Sequence, residues 1–441
     1  MKYSQFNTLL PYEEGKCALY NSFENKVIFL DPQLKELLEY CIEENMDELE
    51  NIHPDFYHYL VETKFLVDEN LDEVALVKEL SKKVDEDSST FLLIINPTMN
   101  CNFKCWYCYE TQVKNSQLED SVLESINLFI TKTLQKEEIK HFSLSFFGGE
   151  PLLYFKKKVI PIIDHFLEEM AGKEKTYDIG FTTNGYLIND DFIRYFKEKK
   201  LSPSFQITFD GYGKEHDAVR FVSETKGSYN DIVENIKKLL RSKFSVSVRI
   251  NYTDKNIHNC FKIVDDFAEV PQEMRNSYLV FDFHRVWQNE SLDNTSEIVK
   301  ENTQIMQEKG FKTSVKYSLN KVLGSCYADK RNSAIINYNG DIYKCTARDF
   351  LPKNRNGYLS ADGDLVWADN YLEERMNSKF HNQPCLSCRI LPLCNGACTQ
   401  QALEHLKKGE DYCIYQYDEN EINKVVRTKI EDIVNAQLQE A

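Results

Sequence analysis

Three thiols fall within eight residues of the segment Asn100-Cys-Asn-Phe-Lys-Cys-Trp-Tyr-Cys-Tyr-Glu110, at Cys101, Cys105 and Cys108. Three thiolates on one tight loop can hold three irons of a cubane cluster and leave the fourth iron open to a small chelating ligand. The competing chemistry is a zinc loop, but a closed zinc site wants four protein ligands, and no fourth stands at convenient spacing. Seven more cysteines follow, as Cys326-x13-Gly340-x4-Cys345 and then Cys385-x2-Cys388-x5-Cys394-x3-Cys398-x14-Cys413. Cys-x2-Cys pairs are typical of zinc ribbons, yet seven thiols fit two zinc sites poorly. Cys17, Cys41 and Cys260 stand alone; free cysteines such as Cys17 and Cys41 are usually buried small hydrophobes.

Other residues between these groups could handle a charged ligand. Gly148-Gly-Glu-Pro151 begins 40 residues beyond Cys108. Its glycines let the backbone come close to a ligand, and Glu150 can accept from a cationic amine. In isolation the tetrapeptide is an ordinary turn. Thr182-Thr-Asn-Gly185, Thr208-Phe-Asp-Gly211, His216-Asp217 and Arg220 follow. Standing alone, Arg220 reads as one half of an ion pair and Tyr107 as a core aromatic.

The elements that must position these groups are legible in the periodicity. From residue 90 the chain alternates strand, loop and helix. Strands are expected at Phe91–Asn96, His141–Phe147, Tyr177–Thr183, Ser204–Phe209, Ser245–Tyr252 and Tyr278–Phe283, with helices at Val122–Leu134, Val159–Met170, Asp190–Lys199, Tyr229–Leu240 and His258–Phe267. Six strands alternating with helices predict an α/β fold with a parallel sheet curved into a partial barrel. Functional groups collect at the C-terminal ends of such strands, and each motif above falls at one.

Before residue 90, Ala18–Leu30 reads as a hairpin turning at Glu24 and Asn25. Asp31-Pro32 caps a helix carrying Leu34, Leu37, Leu38 and Cys41; a second helix around Phe56–Thr63 leads to Phe65–Val67. This small module has winged-helix character, and a strand edge beside a helix can accept an extended peptide; the alternative is a stabilising appendage. The acidic stretch Val84–Thr90 has linker composition. After residue 311 come short strands, many turns and a helix with the apolar stripe Ile422, Val425, Val426, Ile430, Ile433 and Val434, as core packing requires. Three segments are therefore expected: 1–88, 89–310 and 311–441.

Length and composition bound the rest. The chain has 441 residues, 42% apolar and 28% charged, which suits an ordinary globular protein. Its net charge of −17 argues against nucleic acid or an anionic membrane surface as main partner. Met1–Leu10 lacks a secretory signal's basic head and apolar stretch, and runs such as Phe91–Ile95 are too short to span a bilayer. A cytoplasmic location is expected, where 13 cysteines serve better as metal or cluster ligands than as disulfides.

The Cys-x3-Cys-x2-Cys order, with an aromatic before the last Cys, resembles the radical S-adenosylmethionine (SAM) superfamily, and Gly148–Pro151 looks like its GGEP motif. The seven-cysteine spacing is similar to the SPASM domain of radical SAM peptide-modifying enzymes. The resemblance implies a partial (β/α)6 barrel, SAM and three [4Fe-4S] clusters. Cys101, Cys105 and Cys108 would hold the SAM-binding cluster. Gly148, Gly149, Glu150 and Pro151 would hold the SAM amine, Thr183, Asn184 and Thr208 would line the pocket, Arg220 would pair with the SAM carboxylate, and Tyr107 would pack near the adenine. Thr208 stands where relatives commonly have Ser, which keeps the hydroxyl. Cys385, Cys388, Cys394 and Cys413 would ligate one auxiliary cluster. Cys326, Cys345 and Cys398 would hold the other, a three-plus-four division that suits two clusters, which favour thiolates. Some relatives fill the remaining ligand position with an upstream Cys; Cys260 lies 66 residues upstream of Cys326, and the iron could instead take a substrate thiolate, water or another side chain.

Residues 1–88 resemble leader-peptide recognition elements. Together the features imply a maturase of ribosomally made peptides, with a precursor peptide and a reductant such as flavodoxin or ferredoxin as partners. Such an enzyme splits SAM to a 5′-deoxyadenosyl radical, abstracts hydrogen from the peptide, closes a crosslink and passes an electron out through the auxiliary clusters. The alternatives are sulfatase-maturase-type oxidation of a protein Cys or Ser, and a zinc-scaffolded peptide-binding protein. Asp282, His284 and Arg285 end the sixth strand and read as local ion pairing.

Overall fold

A computed structural model describes residues 1–289, 295–314 and 322–440. The chain divides into two compact units: Ser88–Val315 with Asn332–Asp369, and Met1–Asp87 with Lys316–Arg331 and Asn370–Ala441.

The first of these is built on the expected six parallel strands, Thr90–Asn96, His141–Phe146, Thr176–Thr183, Ser204–Phe209, Ser245–Tyr252 and Leu279–Arg285, side by side in sequence order. The second strand alternates, burying Phe142, Leu144 and Phe146 while Ser143 and Ser145 face the other way. Because the pairing is in register, Phe146, Phe181 and Phe205 stack across three neighbouring strands at 5.1 and 5.5 Å. Helix Asp190–Glu198 covers this ladder with Phe192 and Phe196, both buried. Such edge and offset ring contacts add to area burial. The sheet is open. Thr313–Ser314 pairs in parallel beside the sixth strand and Ser333–Asn337 beside the first, and an antiparallel meander continues through Asp341–Tyr343, Gly357–Leu359 and Leu365–Trp367. Residues 333–367 thus extend the barrel sheet.

The expected helix His258–Phe267 is instead a run of tighter 3-10 turns, Ile257–Phe267. A neighbouring side chain intercepts the backbone there: the Phe261 N–H donates to Asn302 Oδ1 at 2.7 Å. Cys260 lies fully buried in the hydrophobic core, its thiol donating to the Asn256 carbonyl at 3.2 Å.

In the other unit Cys17–Asn21 and Lys26–Leu30 form the hairpin, with Asn25 at φ 52° in the turn, and Asn7–Pro11 adds a third strand. Asp31 caps helix Pro32–Glu43, accepting from the Leu34 N–H at 2.8 Å. Pro54–Glu62 follows. A helix at Glu73–Asp85, capped by Asp72, reaches into the stretch that reads as linker. The C-terminal helix Glu419–Glu440 buries Ile422, Val426 and Ile430 against Leu10, Ala18 and Tyr20, and the sulfurs Cys17 and Cys41 are buried as small apolar groups. Among the described residues no helix is long and apolar enough to cross a membrane.

Candidate active site

The three-thiol loop occupies residues 97–119, between the first barrel strand and helix Asp120–Gln135. It closes on itself. Leu118 N–H donates to the Pro97 carbonyl at 2.7 Å, Met99 N–H to Ser116 Oγ at 2.9 Å and Val113 N–H to the Met99 carbonyl at 3.1 Å. Phe103 anchors it in the core against Tyr186. Its far side is tied to the segment after Cys345: Tyr109 Oη donates to the Thr346 carbonyl at 2.8 Å, and Thr111 donates through N–H and hydroxyl to Asp349 at 2.8 and 2.6 Å.

The loop leaves Cys101 and Cys105 half-buried and Cys108 exposed. Burial pushes the Cys101 thiol up to about 12, helped by the Glu150 charge, and Cys108 up to about 11, helped by Glu110; Cys105 shifts the same way. Cys105 acts on both neighbours, so the three form one group, and the Arg220 cation opposes the rise at each. Such thiols deprotonate when metal arrives to balance the charge. Among the described residues no three Cys, His, Asp or Glu side chains converge on the spacing of a single ion. A cubane stands between its ligands and spaces their sulfurs more widely than a single ion does. The thiol set and the glycine cradle beside it fit a cluster.

That cradle is formed by Gly148 and Gly149. Gly148 has φ +79°, and a Cβ there would stand 2.7 Å from Asn96 Cβ; at Gly149 it would stand 2.1 Å from the Asn100 carbonyl oxygen. The second strand's exit is thereby pressed against the residue preceding Cys101, and Glu150 N–H completes the contact by donating to Asn100 O at 2.9 Å. Pro151 opens a short 3-10 turn. Glu150 is fully buried. Its Oε1 accepts from Leu152 N–H at 3.0 Å and Thr183 Oγ1 at 2.7 Å, its Oε2 from Asn184 N–H at 2.8 Å. A carboxylate has about four acceptor positions, so one remains on Oε2. Burial raises the Glu150 carboxyl above the ordinary range, and these three donors and Arg220 pull it back. Asn184 also donates to Asn102 Oδ1 at 2.8 Å, tying the third strand to the thiol loop.

Opposite lies a buried network. Arg220 Nε pairs with Asp210 Oδ2 at 2.5 Å, with side chains 11% and 1% exposed, and Arg220 Nη2 donates to Tyr107 Oη at 3.0 Å. Tyr107 Oη donates to Asp210 Oδ1 and accepts from Asn251 Nδ2 at 2.9 Å; Arg249 Nε donates to Asn251 Oδ1 at 2.9 Å. Arg220 Nη1 has no hydrogen-bond partner among the described residues. His216 Nδ1 accepts the Asp210 N–H at 3.1 Å, so its proton sits on Nε2, 3.0 Å from Ser228 Oγ. Ser228 Oγ in turn donates to the Arg220 carbonyl at 2.7 Å. Burial, then the Arg220 charge, holds His216 neutral and well below its usual pKa. Thr208 is buried beside Arg249 in register across the fourth and fifth strands. Asp282 and His284 pair locally, Nε2 to Oδ2 at 2.8 Å, and Arg285 donates to the Asn289 carbonyl at 3.2 Å.

Cys345 lies in the barrel unit; Cys326, Cys385, Cys388, Cys394, Cys398 and Cys413 lie in the other. Burial raises Cys385 and Cys388, and thiol neighbours add to it, Cys388 and Cys413 acting on Cys385 and Cys413 on Cys388; Asn382 Nδ2, donating to Cys385 Sγ at 2.9 Å, opposes the rise. Tyr415 is raised by burial and then by Cys394, Cys413 and Cys388. Tyr412 is raised by burial and then by Cys398, Cys394, Cys413 and Cys385, so Cys385, Cys388, Cys394, Cys398 and Cys413 share one neighbourhood.

Residues 95–263 match the Radical SAM superfamily model. The chain carries a radical SAM domain. It is 24% identical over 359 residues to the cysteine-type anaerobic sulfatase-maturating enzyme of Clostridium novyi, across 74% of this chain and 92% of that one. It is 20% identical to the radical SAM cyclopropyl synthase TigE of Paramaledivibacter caminithermalis, across 90% and 89%. Its fold is similar to that of Streptococcus suis SuiB bound to precursor peptide SuiA, with TM-score 0.53, 17% identity and coverage of 93% and 97%. The family implies SAM and a [4Fe-4S] cluster, and the chain is a radical SAM enzyme related to sulfatase maturases and to a radical SAM cyclopropyl synthase.

Three members of this buried network, Asp210, Arg249 and Asn251, carry no role in the sequence reading. Asp210 was visible inside Thr208–Gly211 without a role. Arg249 and Asn251 carry a signal in their alternation with buried Val248 and Ile250: polar residues near the C-terminal end of a barrel strand face the site edge.

Proposed function

We propose that this radical SAM enzyme acts on a ribosomally made precursor peptide and installs a side-chain crosslink. The observation that carries the reading is one arrangement: three thiols within reach of a buried anion, Glu150, beyond the second strand and a buried cation, Arg220, beyond the fourth. That pair of opposite charges suits the aminocarboxylate end of SAM. Glu150 Oε2 offers its remaining acceptor position to the ammonium, and Arg220 Nη1 offers its hydrogens to the carboxylate. Asp210 and Tyr107 hold Arg220 in place, and Thr183 holds Glu150. Gly148, Gly149 and Pro151 keep the pocket floor close, Asn184 and Thr208 line it, and Tyr107 closes the adenine side.

Cys101, Cys105 and Cys108 would hold a cluster that, when bound, would supply the single electron for reductive cleavage of SAM to a 5′-deoxyadenosyl radical. The chain's own task is to exclude water and stray hydrogen donors from that radical; the closed loop and its ties to Thr346 and Asp349 serve this. An electron carrier such as flavodoxin or ferredoxin is the proposed reductant. Cys385, Cys388, Cys394 and Cys413 are proposed to hold an auxiliary cluster, and Cys326 and Cys398 to contribute to another; such clusters would supply one-electron redox chemistry there.

A peptide substrate is supported by the relatives: the SuiB structure solved with a precursor peptide matches the fold across 93% of this chain, while the sulfatase maturase matches 74% of it. The hairpin and helices of residues 1–87 are the proposed leader-recognition module. The test is 5′-deoxyadenosine formation by anaerobically reconstituted protein with SAM and a strong reductant, beside a Cys101/Cys105/Cys108→Ala control. A small peptide encoded next to the gene is then added and its mass followed. Product in the wild type alone, with a loss of hydrogen mass from the peptide, supports the proposal. Nucleoside without any change in peptide mass removes the peptide claim, and zinc-loaded protein forming no nucleoside removes the whole reading.

A further inference from the structure

A chain of polar side chains, buried except for half-buried Ser325, runs between the turns that carry Cys326 and Cys398, all within one unit. Ser325, next to Cys326, donates its hydroxyl to Asp85 Oδ1 at 2.5 Å. Lys379 Nζ pairs with Asp85 Oδ2 at 2.5 Å, reaches Asp329 Oδ2 at 3.5 Å and donates to Ser325 Oγ at 3.3 Å. Thr399, next to Cys398, donates its hydroxyl to Asp329 Oδ1. Asp329 N–H returns to the Cys326 carbonyl at 2.8 Å. The side chains of Lys379, Asp85 and Asp329 are 1%, 5% and 6% exposed. Arg375, also buried, donates Nε to the Ala328 carbonyl at 2.9 Å.

Buried charges are a costly way to stabilise a fold, because desolvation takes several kcal/mol per ion and apolar residues of equal volume often do as well. A fully paired network gives something apolar packing does not: one defined geometry. The backbone it touches is itself constrained. Asn395, Gly396 and Ala397, between Cys394 and Cys398, take φ values of 49, 70 and 60°, a left-handed run that non-glycine residues adopt only when the surroundings hold them. A Cβ on Gly396 would stand 2.9 Å from the Lys379 carbonyl oxygen, so this turn is pressed onto the network's central residue.

We infer that Asp85, Asp329 and Lys379, with the hydroxyls of Ser325 and Thr399, are positioning residues for an auxiliary cluster, holding the turns of Cys326 and Cys398 at the separation its irons require. The inference rests on the reading that Cys326 and Cys398 are cluster ligands. The network touches Ser325 and Thr399, beside the two ligands, and the Cys326 carbonyl.

The test uses the full chain, reconstituted anaerobically, with iron counted per chain and the reduced clusters followed by electron paramagnetic resonance. Thr399→Val and Lys379→Met are expected to lose one cluster's share, about four irons, together with one resonance component. The SAM-dependent component stays at its wild-type value in both variants; Thr399→Val keeps the melting temperature of the metal-free chain close to wild type, whereas Lys379→Met, which leaves Asp85 and Asp329 unpaired, lowers it. Thr399→Ser is expected to restore the lost component. Full iron with an unchanged spectrum in both variants overturns the inference, as does a parallel loss of all clusters with a lowered melting temperature. Should Lys379→Met fail to fold, Thr399→Val decides, since it keeps every charge and removes one hydroxyl. A Cys326/Cys398→Ala chain that keeps all its iron overturns the inference from below, by removing the ligands on which it rests.

Discussion

Gly149→Ala adds one methyl group where two backbones already touch. The new Cβ would lie 2.1 Å from the Asn100 carbonyl oxygen and 2.7 Å from its carbonyl carbon. Ordinary contact begins at 3.4 Å, so the segments must separate by 3.4 − 2.1 = 1.3 Å. The obstacle is main chain and cannot rotate away. The far part of the loop is tied by Leu118 to Pro97 and by Thr111 to Asp349, so displacement passes to Cys101, the next residue. Overpacking of this kind costs about 1–3 kcal/mol of stability, and misplacing a reacting group by about 1 Å can cost about 10²-fold in rate. Expected are a folded protein with lowered iron retention and 5′-deoxyadenosine formation reduced about 10²-fold. Gly172→Ala is the control: it has φ +76° but nothing within 4 Å of the added carbon, so it bears a backbone cost and leaves the rate alone. Gly149→Ala protein with full iron and the wild-type rate would refute the claim that this close approach sets the thiol loop.

Tyr107→Phe removes the oxygen that accepts from Arg220 and Asn251. Each orphaned buried group costs about 1–3 kcal/mol, so a lower urea midpoint and weaker SAM binding by calorimetry are expected; unchanged values would show that the network does not depend on the phenol. His216 is neutral in the folded protein, while in the unfolded chain a histidine takes its proton near pH 6.5. Below about pH 6.5 the unfolded state therefore binds more protons, and stability falls as pH drops. His216→Asn should flatten that slope in denaturant titrations between about pH 5 and 6.5, and an unaltered slope assigns it to other groups.

The local elements were legible because their signals are local. Ser204–Phe209 and Ser245–Tyr252 match the observed strands residue for residue, the first three barrel strands differ by one position at one end, and the sixth starts one residue later and ends two later than expected. Asp31-Pro32 began its helix as its capping chemistry requires. The 3-10 run at Ile257–Phe267 was missed because its cause, Asn302, arrives from 41 residues away. The helix Glu73–Asp85 was missed because its charged residues resemble linker composition; Val77 is buried all the same.

By itself the sequence determined which side chains could do chemistry and at which strand ends they stand. Thiol spacing, paired glycines and strand periodicity are properties of short segments, and backbone geometry converts them into position with little outside help. Only the tertiary structure decided who partners whom. Arg220 could be read alone as any surface cation; folding buries it against Asp210, Tyr107 and, through the phenol, Asn251, residues 10, 113 and, relative to Tyr107, 144 positions apart. Folding likewise placed Ser333–Asn337 beside the first barrel strand and the stripe of helix Glu419–Glu440 on the N-terminal strands. These pairings turn on shape and charge matched across long stretches of chain, where burial makes each unpaired polar group costly enough to select one partner.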